Sequence, residues 1–234
     1  MVDNLVKDPM RHFIYVETGF FARWWDEQPD ERRNLTRSLV KSGQLEFING
    51  AWCMHDEASP FYVEMVDQTT RGHQFLKKNF GESAIPRGTW QIDPFGHSNT
   101  EAWLLGSEAG FDSLFWGRTD YQDMAWRTSA AGKAKNQYPE WIWQGSQSLG
   151  KSAELLAGQL LHGGYGAPIA WDNKGGAIQD NPSRHDYNLD SMVDSFISSA
   201  VGMRDNMNIG KLDHQLWPCG SDFQVITHIC SFDL

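Results

Sequence analysis

The sequence predicts an α/β fold assembled from parallel βαβ units, and three observations carry that reading. Four short β-prone runs alternate with helical segments at a strand-to-strand spacing of about 30 to 40 residues, the length a crossover helix requires. The helical segments are punctuated by Pro29, Gly43, Gly81 and Gly110, residues that open or stop helices for backbone reasons. Finally, Glu17, Asp93 and Arg118 lie just beyond the ends of β-prone runs, and parallel sheets and barrels carry their chemistry beyond the carboxyl ends of their strands.

Taken in order, Phe13-Ile14-Tyr15-Val16 is the first strand, ending at Glu17. Pro29 opens a helix with Leu35, Leu39 and Val40 on one stripe, and Gly43 ends it. Leu45-Glu46-Phe47-Ile48 is the second strand, closed by Asn49-Gly50, and a helix is expected from Phe61 to Asn79. Gly88 to Ile92 forms the third strand, ending at Asp93-Pro94. Ser98-Asn99-Thr100-Glu101 has capping-box spacing and starts a helix through Leu104, Leu105 and Ala109. Ser113-Leu114-Phe115-Trp116 is the fourth strand. From Tyr121 the pattern dissolves into a Gly-, Asn-, Gln-, Pro- and Trp-rich stretch over 128–188, with one helix expected at Ala153–Gln159 and another from Leu189 to Met203.

The 234 residues carry 20 Lys+Arg against 30 Asp+Glu, a net charge of -10. That balance opposes nucleic acid or an anionic membrane as partner, since both are polyanions. Cys53, Cys219 and Cys230 are odd in number and lack CxxC spacing, so they suggest neither a disulfide framework nor a zinc knuckle. No run reaches a membrane span, and MVDNLVKDPMRHF has neither the basic nor the apolar region of a signal peptide. The 11 Trp are heavy use of the largest side chain. Most Trp residues pack cores, but flat rings also stack on sugars, so carbohydrate enters as a partner class. The one acceptor sequon, Asn34-Leu35-Thr36, matters if the chain enters the secretory pathway.

Asp93-Pro94-Phe95-Gly96-His97-Ser98 is the most informative segment. Pro and Gly hold a carboxylate on a turn that cannot wind into helix, which suits Asp93 as nucleophile or hard metal ligand, or alternatively as a cap of the next helix. His97 reads as structural. Arg118 offers a planar fork for a carboxylate or sugar hydroxyls, or an ordinary pair with Asp120. His55-Asp56-Glu57 supplies two adjacent acids that read as loop or cap residues. Asp222, in Gly220-Ser221-Asp222-Phe223, is a second candidate carboxylate. Glycoside hydrolysis needs two, but 129 residues of separation do not pair Asp93 with Asp222.

Six segments taken together resemble glycoside hydrolase family 38, the class II α-mannosidases, most closely the lysosomal type. They are FIYVETGFFARWWDEQ, GQLEFINGAWCMHDEAS, VDQTTRGHQFL, WQIDPFGHS, GFDSLFWGRTDYQD and GSDFQ, in family order across roughly residues 5–224. The resemblance implies a β/α barrel, seven-stranded in the full family and incomplete here, and retaining, zinc-dependent hydrolysis of α-mannosides. It matches Asp93 to the nucleophile, which also ligates zinc, and Asp222 to the general acid/base. It further matches Phe95, Arg118 and Tyr165 to substrate-binding residues. The implied partner is a mannose-containing glycan and the implied compartment the lysosome or vacuole.

The sequence also departs from the family. The His-x-Asp zinc motif of the first barrel strand does not occur here, nor does the distant histidine ligand, so Asp93 is one of four expected ligands. Residues 1–224 read as a partial catalytic domain, and Val225–Leu234 as a divergent, intron-like tail. These departures predict weak or no activity for this chain. Two other classes stay in view: a non-catalytic carbohydrate-binding remnant, and a metal-dependent polysaccharide deacetylase on a related barrel. The deacetylase would need its own His/Asp triad, which the sequence does not display.

Overall fold

In a computed structural model of the chain, residues 1–160, 178–206 and 215–216 are described. The chain divides into two units, Met1–Phe115 with Ile142–Leu156, and Trp116–Trp141 with Ala157–Leu234. No helix among the described residues is long and apolar enough to cross a membrane.

The first unit opens with α1 (Val2–Leu5) and β1 (Phe13–Tyr15), then α2 (Thr18–Asp26) and α3 (Asp30–Ser42). The sequence reading left α2 out. It forms because Phe21, Ala22 and Trp25 share one apolar face and are buried, while Arg23 and Asp26 stay exposed. Helix α3 behaves as expected: Pro29 holds the N-cap position, Asp30 and Glu31 sit in the first turn, and Gly43 ends the helix at φ +79°. Strand β2 (Leu45–Phe47) then pairs with β1 in parallel, Phe13 opposite Leu45 and Tyr15 opposite Phe47.

Beyond β2 the chain turns at Asn49, whose φ is +62°. The Asn49 N–H donates to the Gly88 carbonyl at 3.0 Å. Its side-chain Nδ2 donates to the Trp90 carbonyl at 2.7 Å, and its Oδ1 accepts the Trp90 N–H at 2.6 Å. The carboxamide thus supplies both a donor and an acceptor, as a backbone peptide would, and ties the end of β2 to β3 (Gly88–Gln91).

Helix α4 (Tyr62–Phe80) buries Met65, Thr69, Gly72 and Leu76, a single stripe at helical spacing. The chain after β2 lies directly on this stripe. A Cβ on Gly72 would stand 1.9 Å from the Gly50 carbonyl oxygen, so only glycine fits. The same oxygen accepts the Thr18 hydroxyl at 3.0 Å, and His73 Nε2 lies 3.0 Å from the Asn49 carbonyl oxygen.

Helix α5 (Asn99–Trp103) does not run unchanged to Ala109 as expected. It widens at Leu104–Glu108 into a π turn in which the Ala109 N–H donates to the Leu104 carbonyl at 2.9 Å. Leu104 and Leu105 are both buried there. Strand β4 (Ser113–Trp116) matches the reading residue for residue.

The stretch after Tyr121 is more regular than expected. Asp120 accepts the Gln122 and Asp123 N–H groups and starts α6 (Tyr121–Arg127); Ser129 accepts the Gly132 N–H and starts α7 (Ala130–Ala134). Ala153–Gln159 was expected to be helical, but Glu154–Gln159 forms strand β6, beside β5 (Glu140–Gln144). Its Ala, Glu and Leu favour helix, yet burial alternates along Leu155, Leu156 and Ala157, and ladder partners on both sides override the local preference. The order of the four-stranded sheet is β3-β4-β6-β5. Leu156 and Leu160 N–H groups donate to Asp112 and Trp116 carbonyls, a parallel step, whereas Gln159 to Pro139 and Gly145 to Ala153 mark β5 as antiparallel to β6. Helix α8 (Leu189–Asn206) runs three residues beyond the expected end.

The core of the first unit gathers Val2, Leu5, Phe21, Trp25, Leu39, Leu45, Phe47 and Leu76. Phe21 is its hub, with Phe47 edge-on at 5.0 Å and Tyr15 at 5.3 Å. In the second unit Trp116 meets Trp141 edge-on at 5.3 Å, and Arg127 lies over Trp141 at 3.7 Å.

Two predictions follow from the packing of α4. Gly72→Ala forces helix and loop apart and should cost about 3 kcal/mol or more in urea unfolding; a loss under about 1 kcal/mol contradicts the close approach. Burial holds His73 below its ordinary pKa of 6.5, against the opposing hydrogen bond to Asn49. The unfolded chain therefore binds the proton first, so this contribution is complete above about pH 6.5 and shrinks as pH falls toward the folded value. His73→Gln should flatten the acid limb of a stability-versus-pH curve; an unchanged limb contradicts it.

Candidate active site

Strand β3 delivers its chain into the turn Ile92–Ser98. Asp93 is half-buried at the strand end, Pro94 is buried, and Phe95 is 85% exposed. Gly96 takes φ +155°, a conformation L side chains rarely adopt, which lets the chain reverse into α5.

Two buried carboxylates hold this turn from either end. Glu57 Oε1 lies 2.8 Å from His97 Nδ1, and Glu57 Oε2 accepts the Ser98 N–H at 2.6 Å. The Glu57 side chain is 1% exposed. Glu101 Oε1 lies 2.6 Å from His55 Nδ1 and accepts the Gln91 side-chain amide at 2.9 Å. His55 Nε2 in turn lies 2.9 Å from Thr69 Oγ1. Gln91 is two residues before Asp93, and Glu101 is on the helix that follows it. The network therefore brackets Asp93 while tying β3, α4, α5 and the chain after β2 together.

This corrects the capping-box reading of Ser98 to Glu101. Ser98 does cap, its Oγ accepting the Thr100 N–H at 3.1 Å. Glu101 points inward instead, and the carboxylate reaching the N-cap N–H is Glu57, from 41 residues away. The expectation that His97 and the Asp56–Glu57 pair are structural agrees with these bonds; Asp56 Oδ1 accepts the Ala58 N–H at 3.0 Å. Sequence reasoning gave Glu101 the wrong partner and missed His55 and Gln91 altogether. The available signal was the abundance of buriable polar residues around one turn, without a way to pair them.

The other strand-end residues take different parts. Glu17 precedes α2 without capping it through its side chain, and its Oε1 accepts the Met54 N–H at 3.1 Å. Burial first, and then the Glu17 charge, push the Cys53 thiol above its ordinary pKa. Both effects oppose formation of the Cys53 thiolate. In the second unit, Arg118 is exposed just past β4, and the Asp120 carboxylate is engaged in capping α6. Of the sequence-expected site residues, Asp93 and Phe95 share one turn. Arg118 belongs to the other unit, and Asp222 and Tyr165 lie outside the described residues, as does the tail Val225–Leu234.

The comparisons with known proteins define the class first: this is an α/β chain of a glycosidase family. Residues 1–230 match the glycosyl hydrolases family 38 N-terminal domain, and the chain belongs to that family. An alpha-mannosidase of Arabidopsis thaliana is 45% identical over 228 residues, which is 96% of this chain and 21% of that protein. The lysosomal alpha-mannosidase of Dictyostelium discoideum is 41% identical over 94% of this chain and 20% of its own length. The chain thus spans about a fifth of the curated relatives it matches. An alpha-mannosidase structure from Enterococcus faecalis V583 superposes with a TM-score of 0.65 at 15% identity, over 95% of this chain and 22% of that one, which shows a shared fold.

The grip of Glu57 is testable. Glu57→Gln keeps the shape but replaces one accepting oxygen by an NH2 facing a donor. It should lower stability by about 1.5–3 kcal/mol and speed amide exchange at Ser98. Stability and exchange both unchanged would contradict the clamp.

Proposed function

We propose that this chain is part of the catalytic β/α barrel of a retaining α-mannosidase acting on mannose-containing glycans. The observation that carries the proposal is the half-buried Asp93 at the end of β3, on a turn clamped by Glu57 within a family 38 chain. The barrel reading is supported by the parallel β1–β2 and β4–β6 steps and by Asn49 joining β2 to β3. On this reading residues 1–224 form the domain portion and 225–234 a divergent tail.

In the proposed reaction Asp93 attacks the anomeric carbon of a terminal α-mannosyl residue while Asp222 protonates the departing oxygen. Water, deprotonated by Asp222, then releases mannose from the mannosyl-Asp93 ester. Phe95, Arg118 and Tyr165 are assigned to the substrate. Phe95 offers an exposed ring at the turn itself, suited to a sugar face.

Zinc is the metal that family resemblance implies, with Asp93 as a ligand. Among the described residues no three His, Cys, Asp or Glu side chains gather to hold a metal ion. The described donors do not make a zinc site, and no step of the proposed reaction runs through one. Because the His-x-Asp motif of the resemblance does not occur in this sequence, we assign little or no turnover to the 234-residue chain by itself. The compartment we propose is the lysosome or vacuole, supported by relatives named lysosomal in Dictyostelium discoideum and Mus musculus.

A fluorogenic α-mannoside tests these assignments on two proteins: the chain alone, and a chimera in which residues 1–224 replace their counterpart in the Arabidopsis relative. The chimera should turn over, and Asp93→Asn in it should reduce kcat by about three to five orders of magnitude. A chimera indifferent to Asp93→Asn removes the nucleophile assignment. Zinc-dependent turnover by the chain alone overturns its assigned inactivity.

A further inference from the structure

The sequon Asn34-Leu35-Thr36 takes no part in the site above. It lies in the middle of α3 rather than on a loop. Asn34 is exposed, on a face shared with the exposed Asp30, Arg37, Ser38 and Lys41. Arg37 donates from its guanidinium to Asn34 Oδ1 at 2.8 Å, and the Asn34 Nδ2 donates no hydrogen bond among the described residues. Thr36 is the opposite case: it is fully buried, and its hydroxyl donates to the Arg32 carbonyl at 2.8 Å.

That split is a matter of helix geometry. Residues two apart on a helix point to nearly opposite sides, whereas in an extended chain they point the same way. The acceptor motif demands a hydroxyl two residues after the asparagine, so the transferring enzyme must read both side chains together. Folded α3 cannot present them so, and extended chain can.

We propose that Asn34 is an N-glycosylation site that is modified only before α3 folds. The proposal rests on passage through the secretory pathway, the compartment reading given above. The donor is an oligosaccharide linked through pyrophosphate to a lipid. Nδ2 attacks the anomeric carbon, the Nδ2–C bond forms, and the bond from that carbon to the phosphate oxygen breaks. The lipid pyrophosphate leaves with the electron pair, and Nδ2 gives up one proton to the medium. The product is still an amide with Oδ1 in place, so the Arg37 hydrogen bond survives folding and the glycan extends from the exposed face of α3.

The test routes the 234-residue chain into the endoplasmic reticulum with an appended signal peptide, and adds a C-terminal tag carrying its own sequon to report entry. The forced routing separates this proposal from the compartment reading. Mass spectrometry of the tryptic peptide Asn34–Arg37 then reads the site whatever the fold of a variant. The expected result is glycan on Asn34, lost entirely in Asn34→Gln and Thr36→Val and retained in Thr36→Ser. An unmodified Asn34 beside a modified tag overturns the site. In a second arm, purified folded chain and urea-unfolded, diluted chain are offered to microsomal membranes. Modification of the folded chain is expected to be at least tenfold slower, and equal rates overturn the requirement for an unfolded α3.

Discussion

A carboxylate taken out of water must be surrounded by donors, and Glu57 and Glu101 impose that demand at the centre of the first unit. Their donors come from far apart in the chain: His55, Gln91, His97 and the Ser98 amide. The demand is met at both oxygens of Glu57 and at Glu101 Oε1, while Glu101 Oε2 is buried without a hydrogen-bond partner among the described residues. With the His55–Thr69 contact, these bonds tie β3, α4, α5 and the chain after β2 into one arrangement. Removing either carboxylate would leave its imidazole without that partner in a buried setting, so the network specifies position more than it adds stability. The turn between the two carboxylates is the one that carries Asp93. A strand-end aspartate on an unclamped loop would sample many orientations, and nucleophilic attack tolerates few of them.

The aromatic richness of the chain finds its main use in packing. Trp25 lies against Phe21 and Phe80, with Arg33 and Arg37 over its ring, and Trp52 is covered by Arg71 at 4.1 Å. These guanidiniums cover ring faces, and those of Arg33 and Arg37 also donate to the Trp25 and Asn79 carbonyls. Phe95 differs from these rings in exposure, at 85% on the turn after β3.

Much of the first unit was legible in the sequence because its signals are local. Pro29 and Gly43 bracket α3, Gly81 follows α4, and Ser113–Trp116 alternates as a strand should. What failed was decided at a distance. Glu154–Gln159 is a strand because β4 and β5 flank it, against the preference of Leu, Ala and Glu. Helix α2 opens on Thr18-Gly19 without a side-chain cap, so its start carries no local signal. At the site, Asp93 was found from its place after a strand. The Glu57 clamp was not, because a carboxylate answering a helix N-terminus 41 residues away leaves no spacing to read.

Asn49 sits immediately before Gly50, and that pair carries a chemical clock. In a flexible chain the glycine amide nitrogen, losing its proton, attacks the asparagine side-chain carbonyl and expels ammonia to give a cyclic imide, which water then opens to aspartate or isoaspartate. In the folded protein the Gly50 N–H is committed to the Ile48 carbonyl at 2.7 Å and the carboxamide is held at both ends by Trp90. The fold thereby protects the very group that joins β2 to β3. Once the chain unfolds the protection ends, and a deamidated Asn49 has no NH2 to offer the Trp90 carbonyl. Each opening of the turn therefore exposes the side chain whose loss would unfasten β2 from β3.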